Sequence, residues 1–387
     1  MTAVRPLAAL AAAAILVASC GGGGDDSSDT TVEPTPPETE AEAPTTTEAE
    51  ATTTTARSTT TTAESTTTTT MPATPREPLT GEVIESFDDI DPKPALAVKI
   101  DNAPGARANH TGLAAADIVF EEIVEAGITR FAAVFHSGGS DPVGPIRSGR
   151  TQDIGILASF RKPLFAWSGG NPGVTAAIRD TPFLVDLNWQ THAGSYYRGP
   201  GNTPHNLYSS TDTLWGLTPP DHPGAPPQQY QYLEEGESFE GEPSAGFDLD
   251  MDNIDVQWEW DAGEGEYARS QEGGPHLDTQ GGQIHATNVI VMVVDYQPSQ
   301  VDARSPEAQT IGNGPLFVWS DGQVVKGRWQ REEGDGLKPF EFLDEDGDPI
   351  ELQPGNTWIE LARALPSDDP ANPDAALEVW GPPEGDG

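Results

Sequence analysis

The chain has 387 residues, of which 35% are hydrophobic, and its 62 acidic side chains against 20 basic ones give a formal net charge of −42. That balance excludes a basic nucleic-acid binder, because phosphate neutralisation needs clustered Lys and Arg, and it disfavours charge-driven docking onto anionic lipid. A single Cys excludes any disulfide within the chain, and 41 Gly with 36 Pro is well above ordinary usage.

The first segment reads as an export leader. Arg5 supplies a short positive start, and Leu7–Val17 is an unbroken apolar run. That run is too short for a hydrocarbon core of about 30 Å, which needs about 20 residues. It ends in Val17-Ala18-Ser19-Cys20 followed by four glycines. This resembles the lipobox of bacterial lipoproteins, in which Cys20 would be lipidated and become the new N-terminus. An ordinary secretory signal with an incidental Cys is the alternative. Two acyl chains anchor stably where one is marginal. The expected location is therefore the cell membrane, lipid-anchored, on its extracytoplasmic side. Residues 21–80 are mostly Gly, Thr, Pro, Ala, Glu and Ser, with no aromatic residue. Such a segment buries too little apolar surface to offset chain entropy and is expected to be a disordered tether. As a flexible coil it reaches about 40–45 Å. Its Thr runs, Thr52–Thr55 and Thr66–Thr70, are either acceptors of O-linked sugars or plain spacer.

The folded part divides by character. Pro94–Asp101 reads as a buried strand. Ile118–Glu125 and Ile128–His136 alternate around Ala126-Gly127, a hairpin signal. In these arms Glu122 and Arg130 sit among apolar residues, so they are expected to pair. Thr151–Phe160 has helical spacing. Pro163–Trp167 is a short strand, Pro172–Arg179 a helix with Asn171 as N-cap, Phe183–Asn188 a strand, and Ser209–Leu217 a helix capped by Ser209 or Ser210. The Pro- and Gly-dense stretch from Thr218 to Pro227 marks a boundary. Beyond it, Asp255–Trp260, Gln283–Asp295, Leu316–Trp319, Gln323–Trp329, Phe340–Leu343, Ile350–Leu352 and Trp358–Leu361 read as strands at short intervals. The expected fold class is α+β: a mixed α/β domain over 81–225, a β-rich domain over 240–363, and a flexible tail over 364–387.

Several words along this stretch resemble the YerB-like bacterial lipoproteins. They are Ala97-Val98-Lys99-Ile100-Asp101-Asn102, Ala116–Glu121, Gly127–Phe131, Val143–Arg150 and Pro204–Tyr208 in the first domain. In the second they are Asn288–Val291 and Gly355–Ile359. The resemblance runs in order from about residue 80 to 363. It implies a two-domain architecture and a membrane-anchored address. The family's domains carry no assigned reaction, so candidate sites must come from the residues themselves.

Arg147 and Arg150 lie three apart before the helix predicted over Thr151–Phe160, where two guanidinium groups and helix N–H groups suit a phosphate or carboxylate. Asp153 would share their helical face. The alternative is an Arg–carboxylate network holding Glu122, Asp117 or Asp153. His205-Asn206 sits in a Pro- and Gly-flanked loop, where His205 is either an acid–base group or a loop-fixing hydrogen bonder. Tyr196, Tyr197 and Tyr208 either stack on a sugar ring or pack internally. His276 and Asp278 with His285 lack metal-ligand spacing. Asp344–Asp348 has Gly fourth where a calcium loop needs it sixth, and so reads as a turn. Asp248, Asp250 and Asp252 read as a solvated strand face. No cofactor motif is present, Ser168 lacks a nucleophile elbow, and Cys20 is committed to the anchor.

The function expected from the sequence is binding of an anionic cell-envelope ligand, such as a cell-wall glycan or phosphate-bearing polymer. Arg147 and Arg150 would clamp the anion, with Asp101, Asn102, Glu121, His205 and Asn206 around it. The alternatives are a hydrolase of such a polymer, with His205 or Glu121 as acid–base and Asp101 as partner, and a non-catalytic envelope assembly protein using the β-rich domain.

Overall fold

The computed structural model describes residues 74–332, 334, 338–364 and 376–383. The leader, Cys20 and the tether up to residue 73 lie outside the described residues. Residues 74–80, expected as the end of the tether, instead pack into the fold, with Leu79 buried and Arg76 donating to the Gly81 and Leu233 carbonyls at 2.7 and 2.9 Å. Apart from several two- and three-residue pairings, the strands of the first half are β1 (Leu96–Asp101), β2 (Ile118–Ile123), β3 (Thr129–Phe135), β4 (Leu164–Trp167) and β5 (Val185–Asn188). Those of the second half are β6 (Gly246–Asp250), β7 (Asp255–Asp261), β8 (Glu266–Gln271), β9 (Asn288–Val294), β10 (Gly312–Ser320), β11 (Gln323–Arg331), β12 (Glu341–Asp344), β13 (Thr357–Arg363) and β14 (Leu377–Val379). Among the described residues helix is confined to α1 (Gln152–Leu157), α2 (Pro172–Asp180), α3 (Thr211–Trp215) and 3-10 turns. Strand therefore outweighs α-helix in both halves, more than the expected α+β balance.

One mixed sheet runs through both domains in the order β12-β11-β10-β9-β13-β2-β3-β1-β4-β5. β13 makes the junction: it lies parallel to β9 on one side and to β2 on the other. A second, antiparallel sheet containing β14, β6, β7 and β8 covers one face of the large sheet. Val98, Ile100, Val119, Phe131, Ala133 and Trp358 pack there against Phe247, Leu249, Trp258 and Tyr267. The opposite face meets α1 and α2: Ala97, Ile118, Phe120, Ala132 and Phe165 pack with Ile156, Leu157, Val174 and Ile178. Covering both faces explains why β1, β2 and β3 are buried along their whole length and why their sequences read as near-continuous apolar runs.

The β2–β3 hairpin forms as expected. Its turn holds Ala126 at φ 66° and Gly127 at φ 65°. A Cβ on Gly127 would come within 2.2 Å of Asn253, whose side chain donates to the Ala126 carbonyl, so glycine is required there. Two expectations change. Ile350–Leu352 forms no strand and makes only a bridge from Leu352 to Tyr232. The end of the chain, expected as flexible, supplies β14, which pairs with β6 along Phe247–Leu249 and brings Trp380 to Asp248 at 3.0 Å. A free strand edge recruits any nearby segment that can complete its ladder.

The caps follow the local chemistry. Asn171 Oδ1 accepts from Val174 N at 2.8 Å to open α2, and Ser210, not Ser209, caps α3 through Thr213 N at 3.2 Å. Ser210→Ala is expected to cost about 1 kcal/mol of stability. The readout is a lower denaturant midpoint with an unchanged slope.

Candidate functional site

Three residues singled out from the sequence converge at the end of β1. The segment carrying Arg147 is laced between strands: Arg147 N donates to Lys99 O at 2.8 Å, and Ser168 N donates to Arg147 O at 2.9 Å. Its guanidinium faces Asp101, with Nε 3.2 Å from Oδ2, but this is an ion pair without hydrogen-bond alignment. His205 Nδ1 donates to the same Oδ2 at 2.6 Å. Asp101 is fully buried, whereas the Arg147 and His205 side chains each keep 24% exposure. Ala103 N adds a further bond to Asp101 Oδ1 at 3.1 Å. Gly105 backs the imidazole; a Cβ there would sit 3.0 Å from the ring.

Beside this group opens a cleft of about 530 Å³ lined by Arg147, Arg150, Arg198 and Arg304, with Glu125, Asp302 and Trp189. The Arg198 guanidinium lies 5.0 Å from the centre of the Trp189 ring, within cation–π range. Arg150 pairs with Glu125, and Arg304 with Asp302 at 3.3 Å. Burial is the largest single influence and works against the Glu125 charge, but the Arg150 hydrogen bond and charge, with smaller backbone and Arg130 contributions, together hold the carboxyl below its usual value. Arg198 donates to Asn206 Oδ1 at 3.0 Å and meets no carboxylate among the described residues. Behind the lining, Arg130 is 5% exposed. It donates to the Ser148 carbonyl at 2.9 Å, its Nε has no partner, and it too meets no carboxylate among the described residues. Burial, then the neighbouring Arg150, push its pKa down to about 10. Five guanidinium groups thus face three carboxylates, Asp101, Glu125 and Asp302, in a chain whose formal charge is −42.

Several expectations are corrected here. Glu122 does not pair with Arg130. Lys99, on the same face of the sheet, reaches across the small Ala132 and takes it instead. Asp153 does not meet the Arg150 guanidinium; it accepts the Arg150 backbone N–H at 2.7 Å and Lys99 Nζ at 2.8 Å. Its carboxylate closes the start of α1, so that helix end offers no open anion cradle. Glu121 and Asn102 lie outside the cleft, on the opposite face of the sheet under the smaller one. Glu121 pairs there with Arg269 at 2.6 Å, and Asn102 exchanges amide hydrogen bonds with Gln271 at 3.1 and 3.2 Å. Asn206 shapes the loop and orients Arg198. Tyr196 donates to the Leu187 carbonyl and Tyr208 to the Asn109 carbonyl at 3.2 Å, so both act internally, while Tyr197 stacks on Tyr208 with centroids 6.0 Å apart. His276, Asp278 and His285 do not gather: His276 bonds His110, Asp278 caps the turn at Gln280, and His285 bonds the Gln283 carbonyl. Asp344 accepts from the backbone of Asp346, Gly347 and Asp348, as a turn does.

The sequence reading missed Arg198, Trp189 and Arg304 at the cleft. The scarcity of basic residues was a usable signal for the first. Arg304 reaches the site from the second half through the fold.

A buried polar chain supports the site from behind. Arg269 can only donate, so His276 Nδ1 accepts from it at 2.5 Å. His276 Nε2–H then donates to His110 Nδ1 at 2.7 Å, and His110 Nε2–H donates to the Asp101 carbonyl at 2.6 Å. Each bond dictates the next tautomer, and both rings are neutral. Burial is the largest cause holding His110 down to about 4 and His276 well below its usual value.

Comparison with known proteins gives a consistent family. Residues 79–228 match the family described as "Protein of unknown function (DUF3048) N-terminal domain", and residues 247–359 match the corresponding C-terminal domain. The chain is 26% identical over 306 residues to "Putative lipoprotein YerB" of Bacillus subtilis (strain 168), a match covering 75% of this chain and 87% of that relative. The crystal structure of YerB protein from Bacillus subtilis superposes with a TM-score of 0.65 at 24% identity, covering 79% of this chain and 99% of that one. At that identity the likeness is one of fold.

Proposed function

Since the chain belongs to the YerB-like family and carries both of its domains in order, we propose that it is a lipoprotein anchored through Cys20 that holds an anionic ligand of the cell envelope in the Arg147 cleft. The relative's name supports the anchor, as do the apolar run before Cys20 and the tether after it. Among the described residues no helix is long and apolar enough to cross a membrane. One observation carries the ligand class: guanidinium groups outnumber carboxylates at a cleft in a strongly acidic protein. An excess of partly buried cations is costly until a counter-ion arrives, and planar guanidinium groups recognise phosphate and carboxylate by paired donors. A carboxylated or phosphate-bearing wall polymer has that chemistry.

The test is titration of the full-length protein with inorganic phosphate and with purified wall polymer. Saturable, salt-sensitive binding is expected, and Arg147→Ala should weaken it about tenfold or more, since a hydrogen bond to a charged group contributes about 1.5–3 kcal/mol. Equal binding by wild type and by Arg147→Ala/Arg150→Ala would sink the reading.

A second reading rests on the Asp101–His205 pair. A buried carboxylate that orients a half-buried imidazole is the arrangement of an acid–base catalyst, which favours hydrolysis of the same polymer. Turnover lost in His205→Ala with binding retained would select it over simple binding.

A further inference from the structure

The helix face of the large sheet holds a charged cluster apart from the cleft. Lys99 on β1, Glu122 on β2 and Asp153 on α1 have side chains with no exposure at all. Lys99 Nζ donates to Glu122 Oε1 and to Asp153 Oδ1 at 2.8 Å. Phe120, Ala132 and Ile156 share this core, and the buried Gln152 side chain also neighbours Glu122. One ammonium therefore faces two carboxyl groups, and Glu122 Oε2 has no hydrogen-bond partner. Burial first, and the Asp153 charge second, push the Glu122 pKa up to about 7. The chain's only Cys is at position 20, so no disulfide can brace this fold.

We propose that Lys99 and Asp153 become joined by an isopeptide bond, with Glu122 as the catalytic residue that moves the protons. In a dry pocket each charge is expensive. Transfer of a proton from the Lys99 ammonium to Glu122 leaves a neutral amine beside the Asp153 carboxyl. The Nζ lone pair attacks Asp153 Cγ. The Arg150 N–H, 2.7 Å from Oδ2, stabilises the oxygen that gathers charge in the tetrahedral intermediate. Glu122 delivers its proton to Oδ1 and takes one from Nζ. The Nζ–Cγ bond has then formed, the Cγ–Oδ1 bond breaks, and Oδ1 leaves as water after a second proton passes through Glu122. An ammonium and a carboxylate become one amide and one water, Glu122 is regenerated, and nothing is oxidised or reduced. The product removes two buried charges and ties β1 to the start of α1, independently of any ligand in the cleft.

The experiment is peptide mapping of the full-length protein, unfolded only at digestion. The expected result is one branched species holding Lys99 and Asp153, lighter than the sum of its two peptides by one water, with no tryptic cleavage after Lys99. In Glu122→Gln the link should be lost while the circular dichroism stays that of the folded wild type. In Asp153→Asn the same amide should form with loss of ammonia instead. Recovery of Lys99 in an unlinked peptide from folded wild-type protein overturns the proposal, as does a link to Glu122 in place of Asp153.

Discussion

Arg269→Ala is expected to lower the unfolding free energy by about 3–5 kcal/mol, the usual result of removing one partner from a buried ion pair. Arg269 is fully buried between the two sheets and pairs with Glu121 at 2.6 Å and with Glu360 at 3.7 Å. It also donates to His276 and to Gln271, and its guanidinium lies within 6 Å of the Phe131, Trp258 and Trp358 rings. Glu121 and Glu360 are register partners on β2 and β13. Burial, then the neighbouring Glu121, raise the Glu360 pKa well above its usual value. The neutral form of Glu360 is thereby favoured, which leaves Arg269 chiefly to balance Glu121. Deleting Arg269 strands Glu121 without a counter-ion and leaves His276 without the donor that sets its tautomer. Denaturant unfolding measures the loss, and the double variant Arg269→Ala/Glu121→Gln should recover part of it. A cost below about 1 kcal/mol would place the group among weak, solvated pairs.

The second large effect is on pH. An unfolded His takes up a proton near 6.5, whereas His110 in the fold resists charging until about 4 and His276 until well below its usual value. Folding therefore favours the neutral rings. The stability they confer is complete above about pH 6.5 and is lost as pH falls toward 4. For His110 the shift corresponds to about 3 kcal/mol, at 1.36 kcal/mol per unit. Glu122 works in the opposite sense. Its pKa is raised to about 7, so its contribution is complete below the usual carboxyl range and is lost as pH rises through 7. Glu360, also held above its usual value, works in the same sense as Glu122, so the histidine effect is measured in Glu122→Gln/Glu360→Gln, where stability should fall by about 3 kcal/mol between pH 6.5 and 4. Ring-nitrogen NMR at pH 5 should find both rings neutral, protonated at Nε2. Charged rings at that pH would break the chain of donors that ends on the Asp101 carbonyl.

Much of the architecture was legible because its signals are local. The alternation around Ala126-Gly127 and the cap at Asn171 each depend on a few neighbouring residues. So does the meeting of Asp101, Arg147 and His205 in part: Asp101 ends β1, and Arg147 and His205 stand in the loops that pass beside that strand end. Period-2 alternation also told which residues of β2 share a face. It could not tell what covers each face. Glu121 and Glu122 are adjacent in sequence and both buried, yet one meets Arg269 from β8 and the other Lys99 from β1. That choice is made by which sheet or helix packs above.

From its residues alone this chain declared an acidic composition, the β2–β3 hairpin and the Asn171 cap of α2. Folding decided that β13 would weld the halves into one sheet, that Glu121 and Asn102 would turn inward, and that Arg304 would cross over to the cleft. The reason is range. Caps, turns and alternation are settled within a few residues, while ion pairs and clefts are settled by strand register between segments tens to hundreds of residues apart, which no local pattern encodes.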